Sequence, residues 1–193
     1  VESAATFEKA KEYLETTLKN GFSSKNSSKA SVLKIRLEQV ASLPKEGYTL
    51  KTTGDQVLIQ ASTTTGALYG VNSFLALLPP AFWKDGVQEL VLPQVEIEDA
   101  PAFGYRGFFL DVARNFQSKE QVLKLLDLMS FYKLNVFHFN LANDEGWRIE
   151  IPGLPELTEF GGRRGFSADE SEFLWPYYAS GADPNKSPSG SGF

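Results

Sequence analysis

Polar side chains follow two apolar segments in the second half of the chain, and their types fit the binding of a polyhydroxylated ligand. Arg114 comes directly after the first segment, Phe108 to Ala113. The second segment, Asn135 to Phe139, is followed by amide and carboxylate side chains: Asn143, Asp144 and Glu145. The carboxyl ends of parallel strands form the ligand face of α/β folds, so two adjacent parallel strands would bring these groups to one rim. An arginine donates hydrogen bonds in a fixed fork, and asparagine or aspartate oxygens accept them, which suits vicinal hydroxyl groups.

The same residues also allow structural interpretations. An ion pair between Arg114 and Asp144 that closes the strand ends fits the spacing as well. Asp111 lies inside the first apolar segment, where a buried carboxylate is more often structural than catalytic. His138 lies between two phenylalanines of the second segment and is interpreted as a hydrogen-bonded core histidine.

Composition excludes several classes of function. The chain has 193 residues, of which 42% are hydrophobic and 22% are charged, as in globular proteins. Its 19 basic and 24 acidic residues give a net charge of −5 without a basic cluster, which argues against a nucleic-acid binder. No apolar run reaches the roughly 18 residues of a membrane span. With no cysteine and a single histidine, disulfides, thiolate zinc sites, cysteine nucleophiles and multi-histidine metal sites are excluded, and we expect no metal or cofactor.

Residues 1–100 are predicted to form an α+β domain with a structural role, because mixed strands alternate with two helices and no catalytic constellation is present. Apolar spacings of three and four residues predict helices over residues 4–20 and 66–78. Alternating or apolar segments predict strands around residues 33–38, 48–51, 57–60, 90–92 and 95–97, with a hairpin turn at residues 53–55. Gly66 and Gly70 lie one helical turn apart, which indicates either a close approach of another segment or simply a weak helix.

Residues 101–193 show the pattern of a parallel α/β unit. The first apolar segment is predicted to be a strand buried on both faces. Ser118 and Gln121 form a capping box that begins a helix, and the second apolar segment follows as another buried strand. Leu110 and Phe137 are separated by about as many residues as a βαβ unit contains, roughly 30.

Four segments, at residues 65–70, 105–116, 133–139 and 144–152, resemble glycoside hydrolase family 20, the β-N-acetylhexosaminidases, in the manner of bacterial chitobiases. Residues 105–116 (Tyr-Arg-Gly-Phe-Phe-Leu-Asp-Val-Ala-Arg-Asn-Phe) resemble the opening barrel strand, and residues 133–139 resemble the second. Residues 144–152, from Asp-Glu-Gly-Trp-Arg to Pro152, resemble the loop after that strand. Residues 65–70 resemble the helix of the small domain that precedes the barrel. The resemblance implies an α+β domain followed by the first βα units of a truncated (β/α)8 barrel.

The resemblance also implies a reaction and a site. Family members remove terminal N-acetylhexosamine from chitin oligosaccharides or glycoconjugates with retention of configuration. The 2-acetamido oxygen of the substrate attacks the anomeric carbon, a Glu protonates the leaving oxygen, and an Asp orients the acetamido group. By the same resemblance Arg114 would bind the C3 and C4 hydroxyls. Asn143 stands at the position of the family's sugar-binding Asp with Asp144 beside it, and Glu145 and Trp147 are weaker candidates.

Two departures from the family pattern leave a second interpretation open. Asn143 replaces an Asp, and Asn140 replaces a His. The family's catalytic Asp-Glu pair follows the fourth barrel strand and is expected beyond Phe193, so the catalytic role is not assigned to Asp144 and Glu145. We therefore expect an N-terminal fragment, cut at both ends and inactive alone, of an enzyme located in the periplasm, in the cell envelope or outside the cell. The alternative is a non-enzymatic carbohydrate-binding or scaffolding relative. Residues 101–193 are expected to need the remaining barrel or an oligomeric partner.

Overall fold

The computed structural model describes residues 1–22, 32–84, 87, 90–144 and 146–163. The chain divides into two compact units, the first comprising Val1–Gly104 and the second beginning at Tyr105. Among the helices in the described ranges, none combines the length and the apolar composition required to cross a membrane.

The first unit is built on a five-stranded mixed sheet. In spatial order its strands are β1 (Glu2–Ser3), β2 (Lys34–Gln39), β4 (Gln56–Ala61), β3 (Tyr48–Thr53) and β5 (Val95–Asp99). The first three in this order run parallel, whereas β3 is antiparallel to both of its neighbours. The β3–β4 connection is the predicted hairpin turn, and Gly54 adopts the positive φ of 61° that such turns require.

Helices supply the other layer of the first unit. A 3₁₀ turn (Ala5–Phe7) leads into α1 (Glu8–Gly21), and α2 (Thr64–Ala76) and α3 (Pro80–Lys84) follow β4. The Thr63 side chain caps α2 by accepting a hydrogen bond from the Gly66 N–H at 3.2 Å. The prediction of a strand at residues 90–92 is wrong, because those residues pair with no other strand in the part of the chain that the structure describes. The short helix α3 was not predicted. Pro80 is its first residue, where a missing N–H costs nothing.

Gly66 and Gly70 mark close approaches, which decides between the two interpretations of their spacing. A Cβ at Gly66 would lie 2.5 Å from the carbonyl oxygen of Gly47, and one at Gly70 would lie 2.5 Å from Cγ2 of Ile59. Both glycines are buried, and both let α2 lie directly against the rest of the unit.

The second unit begins with a parallel βαβ unit, as the sequence predicts. It comprises β6 (Gly107–Asp111), α4 (Lys119–Phe131) and β7 (Val136–Asn140). The capping box is confirmed: Ser118 Oγ accepts from the Gln121 N–H, and Gln121 Oε1 accepts from the Ser118 N–H. A two-residue hairpin follows, β8 (Ala142–Asn143) with β9 (Gly146–Trp147), and then a short helix, α5 (Glu156–Glu159).

The burial predictions for this unit are wrong for both strands and for His138: β7, predicted as another buried strand, contains no buried residue. β6 is not buried on both faces, since Phe108 is 40% and Phe109 is 54% exposed. His138 is not a core histidine either: it is exposed, and its ring packs edge-on against Phe109 with centroids 4.9 Å apart. The physical reason is the same in each case, because β6 and β7 pair only with each other among the described residues. No further sheet or helix layer covers these side chains there.

Candidate functional site

The predicted binding residues follow the carboxyl ends of two paired parallel strands. β6 and β7 pair in register, with Asp111 opposite Asn140. Arg114 and Asn143 each come three residues after one member of that pair. The Val112 N–H donates to the Asn140 carbonyl oxygen at 3.1 Å, so the strand contact extends one residue beyond the pair toward Arg114. The structure thus places both residues just beyond the carboxyl ends of the two strands, where α/β folds bind ligands.

Arg114 is held by Asp111 through two hydrogen bonds. Asp111 Oδ1 accepts from the Arg114 backbone N–H at 2.9 Å, and Oδ2 accepts from Nη1 of the guanidinium at 2.7 Å. The ion pair is asymmetric in exposure, since the Asp111 side chain is 13% exposed and that of Arg114 is 52% exposed. Asp111 therefore has the contacts of a structural carboxylate, and Arg114 keeps an accessible guanidinium in a restricted position.

The electrostatics of Asp111 agree with this arrangement. Burial raises the pKa of Asp111, but this effect is outweighed by the hydrogen bonds from the Arg114 N–H and the Asn140 side chain and by the guanidinium charge. The net result is a pKa below the ordinary value of 3.8, so the carboxylate is ionised at neutral pH. Asn140, one of the departures from the family pattern, thus stabilises the carboxylate that holds Arg114.

Asn143, Asp144 and Trp147 line one depression of about 360 Å³ next to the β8–β9 hairpin. Asn143 pairs with Gly146 across the hairpin, and Trp147 follows on the second strand. The Trp147 indole N–H donates to the carbonyl oxygen of Ile149 at 2.5 Å, which fixes the ring at the wall of the depression. The other side is formed by residues of and just after α5: Glu156, Leu157, Phe160 and Gly161. Glu145, the remaining weaker candidate, lies outside the described residues.

Arg148 is the residue at this site that the sequence analysis did not single out. Only 6% of it is exposed, and within the described residues its guanidinium donates to the backbone carbonyl oxygens of Val112, Ala113 and Gly162. Two of these belong to Val112 and Ala113, the residues between Asp111 and Arg114. The sequence offers no local signal for it, because the carbonyl oxygens that Arg148 contacts belong to residues 14 to 36 positions away.

The described residues contain no group of three or more histidine, aspartate or glutamate side chains placed to hold a metal ion. The depression therefore offers amide and carboxylate groups and an indole, whereas the cation of Arg114 lies at the end of the same strand pair but is not among the residues that line the depression. These groups can bind hydroxyls and pack against the apolar face of a sugar ring.

Comparisons with known proteins identify the family. The model of glycosyl hydrolase family 20, domain 2, matches residues 1–100, and the model of the family's catalytic domain matches residues 103–183. N,N'-diacetylchitobiase of Vibrio harveyi is 43% identical over 164 residues, which are 84% of this chain and 18% of that protein. Beta-hexosaminidase of Vibrio vulnificus is 45% identical over 76% of this chain and 16% of its own length. The chain thus spans less than a fifth of either relative.

Solved structures agree with this result. The GH20 exo-β-N-acetylglucosaminidase of Vibrio harveyi, in complex with N-acetylglucosamine, superimposes with a TM-score of 0.76 at 34% identity, over 92% of this chain and 27% of that one. The Streptomyces plicatus N-acetyl-β-hexosaminidase in complex with Thio-NAglucal gives a TM-score of 0.70 at 33% identity, over 84% of this chain and 33% of that one. The chain belongs to glycosyl hydrolase family 20, and it combines sequence from domain 2 with sequence from the catalytic domain.

Proposed function

We propose that this chain is part of a β-N-acetylhexosaminidase that removes terminal N-acetylhexosamine from chitin oligosaccharides or glycoconjugates. The observation that carries the proposal is the in-register parallel pairing of β6 with β7. Because of this pairing, Arg114 and Asn143 both follow the carboxyl end of the strand pair. The names of the family relatives, a chitobiase and several hexosaminidases, support it.

The chain would supply half of a sugar-binding site. The guanidinium of Arg114 has several N–H donors in a fixed plane and would donate to the C3 and C4 hydroxyls of the terminal sugar. Asn143 would accept from the same region of the ring through its amide oxygen, with Asp144 next to it. An amide lacks the charge of a carboxylate, so this contact is about half as strong as a charge-assisted one.

The second unit would form the start of a (β/α)8 barrel. Support comes from the parallel β6–α4–β7 arrangement, because barrels consist of repeated units of this kind, and from the polar residues after the strand ends. The exposed apolar side chains of β6 and α4, among them Phe109, Leu123 and Leu128, would be covered by later parts of the barrel or by an oligomeric partner. Sedimentation of the 193-residue chain tests this, since a compact monomer with no tendency to associate would contradict it.

The reaction would follow the substrate-assisted route of the family. The acetamido oxygen of the substrate bonds to the anomeric carbon while the glycosidic bond breaks and a Glu protonates the leaving oxygen. An Asp orients the acetamido group. Both acidic residues would be contributed by segments outside these 193 residues, and this chain would hold the sugar ring in place.

Two measurements test the proposed function. The 193-residue chain should not hydrolyse a chromogenic N-acetylglucosaminide above the blank rate, whereas the whole protein should. In the whole protein, Arg114→Met should raise KM for this substrate at least about tenfold, since it removes charged hydrogen bonds to the sugar. Unchanged KM in the Arg114→Met variant would contradict the assigned role.

The substitutions at Asn140 and Asn143 favour one second candidate, a non-enzymatic carbohydrate-binding relative. That candidate predicts a whole protein that binds N-acetylglucosamine in calorimetry and shows no turnover.

We also propose that the protein acts in the periplasm, in the cell envelope or outside the cell. Fractionation of the source cells, with detection by antibody, tests the location.

A further inference from the structure

The buried Arg148 side chain contacts the backbone of two separate segments of the second unit. Its Nε donates to the Val112 carbonyl oxygen at 3.0 Å, Nη2 donates to that of Ala113 at 3.3 Å, and Nη1 donates to that of Gly162 at 2.6 Å. Its guanidinium carbon also lies 5.4 Å from the centroid of the Phe116 ring, a cation–π geometry. One side chain therefore joins the segment after β6 to the segment after α5.

The backbone contacted by Arg148 is the segment that carries Arg114. Val112 and Ala113 are buried, and they separate Asp111 from Arg114 by two residues. β7 holds this segment on one side through the Val112 N–H. Arg148 holds the carbonyl oxygens, while Asp111 holds the guanidinium of Arg114 itself.

Arg148 also belongs to the segment that carries the second half of the site. It directly follows β9, where the backbone N–H of Trp147 donates to the Gly161 carbonyl oxygen at 2.8 Å. The backbone N–H of Arg148 itself donates to the carbonyl oxygen of Leu141 at 3.0 Å. Leu141 lies two residues before Asn143. The two segments that carry Arg114 and Asn143 are thus joined through Arg148, which contacts the first with its side chain and the second with its backbone N–H.

We propose, on the basis of the proposed function, that Arg148 is a positioning residue that sets the spacing between Arg114 and Asn143 for sugar binding. Arginine presents its donors spread over one rigid plane, whereas the ammonium of lysine is a compact point charge, so a lysine at this position cannot reproduce this arrangement of three bonds. Arg148 contacts no reacting atom in this proposal and acts entirely through the backbone.

The experiment compares Arg148→Lys with a matched variant in the whole protein. Arg106→Lys is the control, because the Arg106 Nε also donates to a backbone carbonyl oxygen, that of Lys133 at 2.8 Å, but at the amino end of the same strand pair. With a chromogenic N-acetylglucosaminide, Arg148→Lys should raise KM about tenfold, the effect of weakening one charged hydrogen bond to the sugar. Its kcat should change by no more than about twofold, because ground state and transition state lose the same contact. Arg106→Lys should leave KM unchanged.

A crystal structure of each variant gives a second readout that does not depend on activity. In Arg148→Lys the guanidinium of Arg114 should move away from its 2.7 Å contact with Asp111, and in Arg106→Lys it should stay. If Arg148→Lys does not fold, Phe116→Leu replaces it. That variant removes the ring beside the guanidinium and should raise KM about twofold to fivefold.

An unchanged KM in a folded Arg148 variant, or the same KM increase in Arg106→Lys, would overturn the proposal while leaving the proposed function intact. If the wild-type protein shows neither turnover nor sugar binding, the proposed function fails instead. The crystal structures then decide the positioning role: an Arg114 that keeps its place in Arg148→Lys would refute it.

Discussion

The contact between α2 and the sheet at Gly70 provides a quantitative test of the packing in the first unit. In Gly70→Ala the new methyl group would lie 2.5 Å from Cγ2 of Ile59 and 3.2 Å from Cδ2 of Tyr48, whereas ordinary contacts begin at 3.4 Å. The helix and Ile59 must therefore separate by about 0.9 Å, and Ile59 is completely buried. Overpacking of this kind costs about 1–3 kcal/mol, and the higher helix propensity of alanine offsets about 1 kcal/mol. We expect a net destabilisation of up to about 2 kcal/mol.

Hydrogen–deuterium exchange of β4 and α2 peptides measures this change within the first unit alone. Exchange by global opening should be faster in Gly70→Ala, by up to about thirtyfold. Two backgrounds act as controls. Ile59→Leu removes the Cγ2 methyl group that the new alanine would contact, so Gly70→Ala should cost less in this background. Ile59→Val keeps Cγ2, so the cost of Gly70→Ala should stay the same. If Gly70→Ala costs the same in both backgrounds, the close approach is not the cause and the reasoning is refuted.

Three further predictions concern local interactions. Ser118→Ala should destabilise α4 by about 1 kcal/mol, seen as faster exchange in its first turn, whereas Ser118→Asp should match the wild type because aspartate also caps helices. Tyr48→Phe removes the hydroxyl that donates to Asp99 at 2.8 Å and should lower the free energy of unfolding by about 1 kcal/mol in urea titrations. The lowered pKa of Asp111 means that its carboxylate stabilises the fold above the unfolded-state value of about 3.8 and that this contribution is lost as pH falls through the lowered folded-state value. Asp111→Asn should therefore flatten the fall in stability below about pH 4, and an unaltered acid profile would contradict the role of the pair with Arg114.

The features that were predicted correctly from the sequence depend on neighbouring residues or on the order of elements along the chain. The capping box at Ser118 and Gln121 involves neighbours three residues apart, and its geometry follows once the helix forms. The parallel pairing of β6 and β7 also followed from pattern, since two apolar segments separated by a helix allow few other connections.

Contacts between distant segments explain what the sequence did not reveal. Residues 90–92 have strand-forming side chains, but a strand also requires a partner with free backbone groups, and sequence pattern does not supply one. His138 was predicted in a core because its neighbours are apolar, yet its burial depends on layers that the described residues do not include. The role of Arg148 depends on carbonyl oxygens up to 36 residues away, so local spacing could not indicate it.

The strand order of the first unit has a consequence for its synthesis on the ribosome. The β3–β4 hairpin can form as soon as both strands have emerged, but β5 lies at the outer edge beside β3 and is made last. Tyr48 and Asp99, which are partners in that ladder, are 51 residues apart. A nascent chain that ends before Asp99 leaves the backbone of β3 open to other extended segments. Protection from misassembly is thus acquired late, when the last strand before the second unit leaves the exit tunnel.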